Sequence, residues 1–205
     1  MGTTTNNGWP TPVATDLVKD GWEAIKDLGD AIDTTLGVYS PATPMGVHLS
    51  TVTFSGVTSQ SINDVFSATY KNYMIVISNL TCATDVNDLR LRLRVSGADN
   101  SSNNYERGRY YVGAFATTGA GNDNSTLTNA FQLLQMNNTI QQGVTTWISN
   151  PFLTANTVQY SIGAGLLFDL NGGVTTVTTS YTGFTLVTVA GGNIAGTIST
   201  YGLAE

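Results

Sequence analysis

Two hydrophobic periods divide the chain. From Thr11 to Thr35 apolar residues recur at steps of three and four, and from Val47 onward they recur mainly at steps of two. The first period is that of an α-helix with one apolar side, the second that of strands with one face toward a core. In the helical segment Val18, Trp22, Ile25, Gly29, Ile32 and Leu36 form a heptad seam, widened by Leu17, Ala24, Leu28 and Ala31. Thr15 suits the N-cap, Asp16 sets negative charge at the positive end of the helix dipole, and Gly37 supplies the stop. Ahead of the helix, Asn7-Gly8-Trp9-Pro10-Thr11-Pro12 predicts an extended, polyproline-like arm whose large apolar group is Trp9.

One helix cannot bury such a seam by itself. Gly21 and Gly29 each cost about 1 kcal/mol relative to alanine in a helix interior, which is offset where glycine lets two backbones approach. An isolated helix of about 33 Å is marginal in water. Residues 1–36 are therefore expected either to be covered by the β domain or to gain stability from further copies or another protein, through Trp9, Val18, Trp22, Ile25, Gly29, Ile32 and Leu36.

Residues 37–46 read as a linker. Beyond them strands are predicted over residues 47–54, 73–77, 89–95, 109–115, 131–135, 144–148, 158–168, 174–178, 184–189 and 194–201. Turns are expected at 96–100, 119–124, 171–173 and 191–193, where Gly, Asn and Asp cluster. No helical period alternates with the strands, so the expected class is mainly β. It is an antiparallel, jelly-roll-like β-sandwich over residues 47–205, preceded by the extended N-terminal arm and one amphipathic α-helix.

The strand at Leu89–Val95 is explicit. Leu89, Leu91, Leu93 and Val95 face the core, while Arg90, Arg92 and Arg94 line the other face about 6.8 Å apart. A row of like charges calls for acids nearby: Asp85, Asp88 or Glu106 across the sheet, or Asp27 and Asp30 of the helix on a contact surface.

Charged residues are only 11% of the chain, and the formal charge of −6 is concentrated in the helix, at Asp16, Asp20, Glu23, Asp27, Asp30 and Asp33 against Lys19 and Lys26. The β part is nearly neutral and carries no basic patch, so neither nucleic acid nor an anionic membrane is an expected partner. No apolar run nears the roughly 20 residues of a membrane span, and Met1–Asn7 lacks the marks of a secretory leader. Asn-x-Ser/Thr matches at Asn79, Asn100, Asn124 and Asn137 carry little weight in a chain so rich in these residues.

Catalytic signals are absent from the sequence. Cys82 and His48 are the only residues of their kinds, so neither a zinc cluster nor a disulfide can be built, and His48 lies in strand alternation without a nucleophile elbow. Cys82 is expected to be a small buried side chain. Glu106, Asp99, Asp123 and Asp169 could in principle supply the carboxylate pair of a glycosidase, but the three aspartates sit beside Gly or Asn in apparent turns. No enzyme activity, cofactor or metal is expected. Tyr105, Arg107, Tyr110 and Tyr111 are candidates for receptor or glycan binding, since Tyr and Arg favour recognition surfaces; alternatively the tyrosines fill the core and its rim.

The stretch GWPTPVATDLVKDGWEAIKDLGDAIDTT resembles a segment near the start of tail-fibre and other virion structural proteins of tailed bacteriophages, including head- and neck-fibre-like ones. The matching residues are Thr15 to Val18, Asp20-Gly21, Ala24-Ile25, Leu28-Gly29 and Ala31 to Thr35. Weaker echoes are Tyr70-Lys71-Asn72-Tyr73, Leu89-Arg90-Leu91-Arg92 with Ser96-Gly97, and Gly196 to Gly202. The resemblance implies a non-enzymatic virion protein, usually a homotrimer, attached to other virion proteins through residues 1–36 and displaying a distal β-sandwich. As Glu205 follows directly on the last predicted strand, a short fibre or decoration protein is expected. The alternative is the host receptor- or glycan-binding module of a tail fibre.

Overall fold

A computed structural model describes residues 2–3, 9–11, 21–38, 46–85, 87–113 and 120–203. The expected helix start, with Thr15, Asp16 and Val18, lies outside them. The chain divides into two compact units, Met1–Pro44 and Met45–Glu205.

In the first unit β1 (Gly2–Thr3) pairs antiparallel with β2 (Pro10–Thr11), so the arm expected to be open and polyproline-like instead meets itself. Proline is tolerated there because a two-residue pairing asks little of its missing N–H. Helix α1 (Gly21–Val38) lies against β2 and runs one residue past Gly37. Its seam is only partly covered. Leu28, Ala31 and Ile32 are half-buried, Gly29 is exposed, and Trp22 and Ile25 are 67% and 65% exposed. Among the described residues, and apart from the helix's own backbone, no atom stands within 4 Å of a Cβ placed on Gly21 or Gly29, so no close approach among them explains either glycine.

The second unit is an antiparallel β-sandwich. Its strands are β3 (Val47–Val57), β4 (Ser59–Ile62), β5 (Asn72–Cys82), β6 (Asn87–Val95), β7 (Ala98–Asp99), β8 (Tyr105–Gly113), β9 (Ala120–Thr128), β10 (Phe131–Met136), β11 (Gln142–Ser149), β12 (Val158–Ala164), β13 (Leu167–Thr175), β14 (Gly183–Thr188) and β15 (Ile194–Leu203). One sheet of eight strands runs β3-β15-β5-β11-β12-β13-β8-β9; the other runs β10-β6-β14-β4, with β7 added on β6.

One hydrophobic core joins the two sheets. Tyr73, Ile75 and Ile77 of β5 and Ile198 of β15 meet Leu89, Leu91 and Leu93 of β6 and Phe184 and Leu186 of β14. Phe66 fixes the contact, edge-on to Tyr73 at 4.7 Å and stacked on Phe184 at 5.9 Å. The Tyr73 hydroxyl stays satisfied, donating to the Ser67 carbonyl (3.0 Å) and accepting from its N–H (2.8 Å). Cys82 is buried and donates to the Thr84 carbonyl at 3.1 Å, as expected of a structural thiol.

Strand β6 follows its alternation. The leucines are fully buried and the arginines line the outer face: Arg90 pairs with Asp88 (3.2 Å), Arg94 with Asp99, and Arg92 Nε donates to the Asn129 carbonyl (3.3 Å). Two of the three charges thus meet an acid of the same sheet, and Arg92 meets a backbone carbonyl.

The strand expected at 174–178 is only the end of β13, which stops at Thr175 where Thr175 Oγ1 donates to the Val177 carbonyl, and three further expectations fail. The segment at 158–168 is not one strand; it turns at Gly165-Leu166 and splits between β12 and β13. Residues 120–124, read as a turn, begin β9, and Asn171-Gly172-Gly173, also read as a turn, lies within β13. At Gly173 the need is closeness rather than turning. A Cβ there would stand 2.5 Å from the Glu106 carbonyl oxygen and 2.8 Å from the Phe131 ring.

Candidate functional site

Strands β12, β13 and β8 alternate in the sense opposite to a normal sandwich. Toward the interior they present Gln159, Ser161, Asp169, Asn171 and Arg109, all buried; toward solvent they present Val158, Tyr160, Ile162, Phe168, Leu170, Tyr110 and Val112, each 39–50% exposed. A sheet face that hides its polar residues and shows its apolar ones needs a reason on both sides.

The inner reason is β10. It ends the smaller sheet, so one row of its backbone groups has no strand partner, and its contacts fall on β12 and β13. Buried backbone groups must find hydrogen bonds. The opposing side chains supply them: Ser161 Oγ and Asn171 Nδ2 donate to the Leu133 carbonyl (3.2 and 2.8 Å), and Asp169 Oδ2 accepts from the Gln135 N–H (2.9 Å). Asp169 also takes the Arg109 Nε donor at 2.5 Å, and the Arg109 guanidinium lies 4.7 Å over the Tyr111 ring. Gln159 Nε2 donates to Thr146 Oγ1 at 2.9 Å. Once these polar groups point inward, the period of two sends their apolar neighbours outward.

On the outer face the apolar residues fall into cross-strand rows. Thr145, Ile162, Leu170 and Tyr110 are successive partners across β11, β12, β13 and β8; Ala164, Phe168 and Val112 form a second row. In a third, Trp147 and Tyr160 stack at 5.0 Å with planes 9° apart, and the row continues through Gly172 and Gly108. An aromatic ridge therefore stands beside a glycine floor. Over that floor lies a groove of about 610 Å³, edged by Glu106, Asn124, Thr126 and Val174. The other end of the sheet is ordinary. There Thr51 meets Ser199 at 3.0 Å and Thr53 meets Thr197 at 3.3 Å, a polar solvent face over the apolar core.

The candidate binding group Tyr105, Arg107, Tyr110 and Tyr111 does not form one surface, which corrects the expectation. Alternation along β8 turns Tyr105, Arg107 and Tyr111 inward with Arg109, and only Tyr110 outward. Tyr105 is fully buried against Phe131, its hydroxyl accepting from the Leu93 N–H (3.1 Å) and donating to the Asn100 carbonyl (2.9 Å), and burial pushes its pKa well up. Arg107 donates to Gln132 and lies 3.5 Å from Asp123; burial lowers its pKa while the Asp123 charge opposes that shift.

The carboxylates are also placed differently than expected. Asp169 and Asp123 lie in strands rather than turns, and Asp99, Asp123 and Asp169 each pair with an arginine. Glu106 stands apart at the groove edge. His48 packs edge-on to Tyr201 at 5.5 Å and bonds Thr51, a surface role. Among the described residues no three of His, Cys, Asp and Glu gather as a metal site requires. Of the helical candidates, Trp22, Ile25, Gly29 and Ile32 are described above, Trp9 is half-buried, Val18 lies outside the described residues, and the Leu36 side chain is not among those described.

The outer residues were missed because alternation in β12 and β13 is legible but its sense is not. The signal available was Gln159, Ser161, Asp169 and Asn171 interleaved with apolar residues. No protein-family model matches the chain, and no curated protein matches it significantly.

Proposed function

We propose that this chain is a non-enzymatic virion structural protein of a tailed bacteriophage, a short homotrimeric fibre or decoration protein. Residues 1–36 attach it to other virion proteins and help associate the subunits, and the β-sandwich is displayed. The observation that carries the reading is apolar surface left open in both units: Trp22 and Ile25 on the helix, and the outer face of β8, β12 and β13 on the sandwich. Contiguous apolar surface on this scale marks contact with another macromolecule. The resemblance of residues 8–35 to phage fibre proteins supports the virion as the setting.

A binding pocket for a small substrate is a closed concavity with converging polar groups; the groove beside Tyr160 is open and floored by glycine. A host-glycan role has less support, since the tyrosine group that suggested it is divided between two faces.

The test is removal of residues 1–36. The truncated protein is expected to keep its β-rich circular dichroism and to be missing from purified particles. Incorporation at the full-length level would refute the attachment role.

A further inference from the structure

We propose that the outer face of β11, β12, β13 and β8 is the subunit contact itself, with the Trp147–Tyr160 ridge of one copy seated in the Gly108–Gly172 groove of a second copy. This rests on the reading of the chain as a self-assembling structural protein and names the surface that does it.

Three observations favour a second copy as the occupant. The first is area. An aromatic side chain carries about 150–250 Å², so seven residues about half exposed, flanked by Trp147, Met74 and Val76, offer on the order of 600–800 Å². That is close to the ~800 Å² each partner contributes to a stable interface, and larger than the patches most monomers tolerate.

The second is charge. The chain carries −6 overall, yet the rows across this face hold no charged side chain, with Glu106 at the border. Like-charged copies can therefore meet over these rows with little repulsion, whereas a strongly basic or acidic partner would find little charge beyond Glu106 and Arg107 at the groove edge.

The third is shape. Ridge and groove occupy opposite ends of one cross-strand row, Trp147, Tyr160, Gly172 and Gly108, so every copy carries both halves of the contact. A knob and a hollow carried on the same molecule suit a head-to-tail contact between identical subunits, which closes as a ring when its rotation allows.

The glycines make the test clean. No atom stands within 4 Å of a Cβ on Gly108, and on Gly172 the nearest is the Gln159 carbonyl oxygen at 3.8 Å. Neither has the positive φ that only glycine tolerates easily. Gly108→Val and Gly172→Val should therefore fold, with strand propensity improved, while filling the groove.

Sedimentation equilibrium of the full-length protein is expected to give a homo-oligomer. Each valine variant should raise the dissociation constant at least about 10-fold, and Tyr160→Ala should do the same from the ridge side. Thr53→Val, at the polar end of the sheet, should change nothing. In the unmodified protein, hydroxyl-radical labelling of Tyr160 and Phe168 should fall as concentration rises through the association range.

An oligomer of unchanged affinity in Gly108→Val and Gly172→Val, or labelling independent of concentration, overturns the assignment of this face but leaves assembly through residues 1–36 standing. A wild-type chain that sediments as a 21.6 kDa monomer at every concentration overturns both.

Discussion

Removing the Asp169 carboxylate should expose how much the inverted half of the sandwich depends on its polar interior. Asp169 is fully buried, its partner Arg109 has a side chain only 7% exposed, and Arg109 Nη2 already has no hydrogen-bond partner. Losing the acid strands a guanidinium in the interior, over the Tyr111 ring face, and breaking one side of a buried pair costs about 3–5 kcal/mol. Asp169 also accepts from the Gln135 N–H, and an orphaned buried donor costs about 1–3 kcal/mol. The two terms overlap, so Asp169→Ala is expected to lose about 5 kcal/mol. Asp169→Asn, which keeps an acceptor for one donor, should lose about 3 kcal/mol. The double variant Arg109→Met with Asp169→Leu removes both charges and should recover most of the loss, leaving about 1–3 kcal/mol for the Gln135 N–H. Urea unfolding of the full-length protein at one fixed concentration reads this directly. With a slope of about 2 kcal/mol per molar urea, Asp169→Ala should move the midpoint down by about 2.5 M. A shift under about 0.5 M, or a double variant no better than the single, would refute the account of an ion pair holding the edge of β10.

Two further outcomes follow from buried geometry. Tyr105→Phe orphans the Leu93 N–H and should cost about 1–3 kcal/mol in the same assay. It should also alter the response to alkali: burial raises the Tyr105 pKa in the folded state, so the unfolded chain ionises first, and stability present below about pH 10 is lost above it at about 1.4 kcal/mol per pH unit. The Phe variant should lose stability less steeply from pH 10 upward, and equal slopes would count against a buried, neutral phenol. Gly173→Ala places a methyl 2.5 Å from the Glu106 carbonyl oxygen and 2.8 Å from the Phe131 ring; overpacking should cost about 1–3 kcal/mol and lower the melting temperature. A melting temperature equal to that of the unmodified protein would mean β10 does not press on β13 at this point.

The pattern of residues was enough to determine the class and much of the layout. Leu89–Val95 could only be a strand with a leucine face and an arginine face, since no helix brings every second residue to one side. A helix, expected from Thr15 to Leu36 and described over Gly21–Val38, was readable from its steps of three and four, and the start of β3 at Val47 from its alternation. Glycine misled where its use was not turning: Gly173 lies in mid-strand because Phe131 from the other sheet comes down on it, a contact between residues far apart in the chain. Likewise 120–124 looked like a turn by composition, and pairing with β8 made it a strand.

What only the tertiary structure decided is which face of β12, β13 and β8 turns inward. A period of two marks two faces without ranking them, and hydrophobicity alone would have put Tyr160, Ile162 and Leu170 inside. The bare edge of β10 reverses that choice. Its backbone groups need Ser161, Asp169 and Asn171 more than the interior needs three more apolar side chains, and the apolar ones are left facing out.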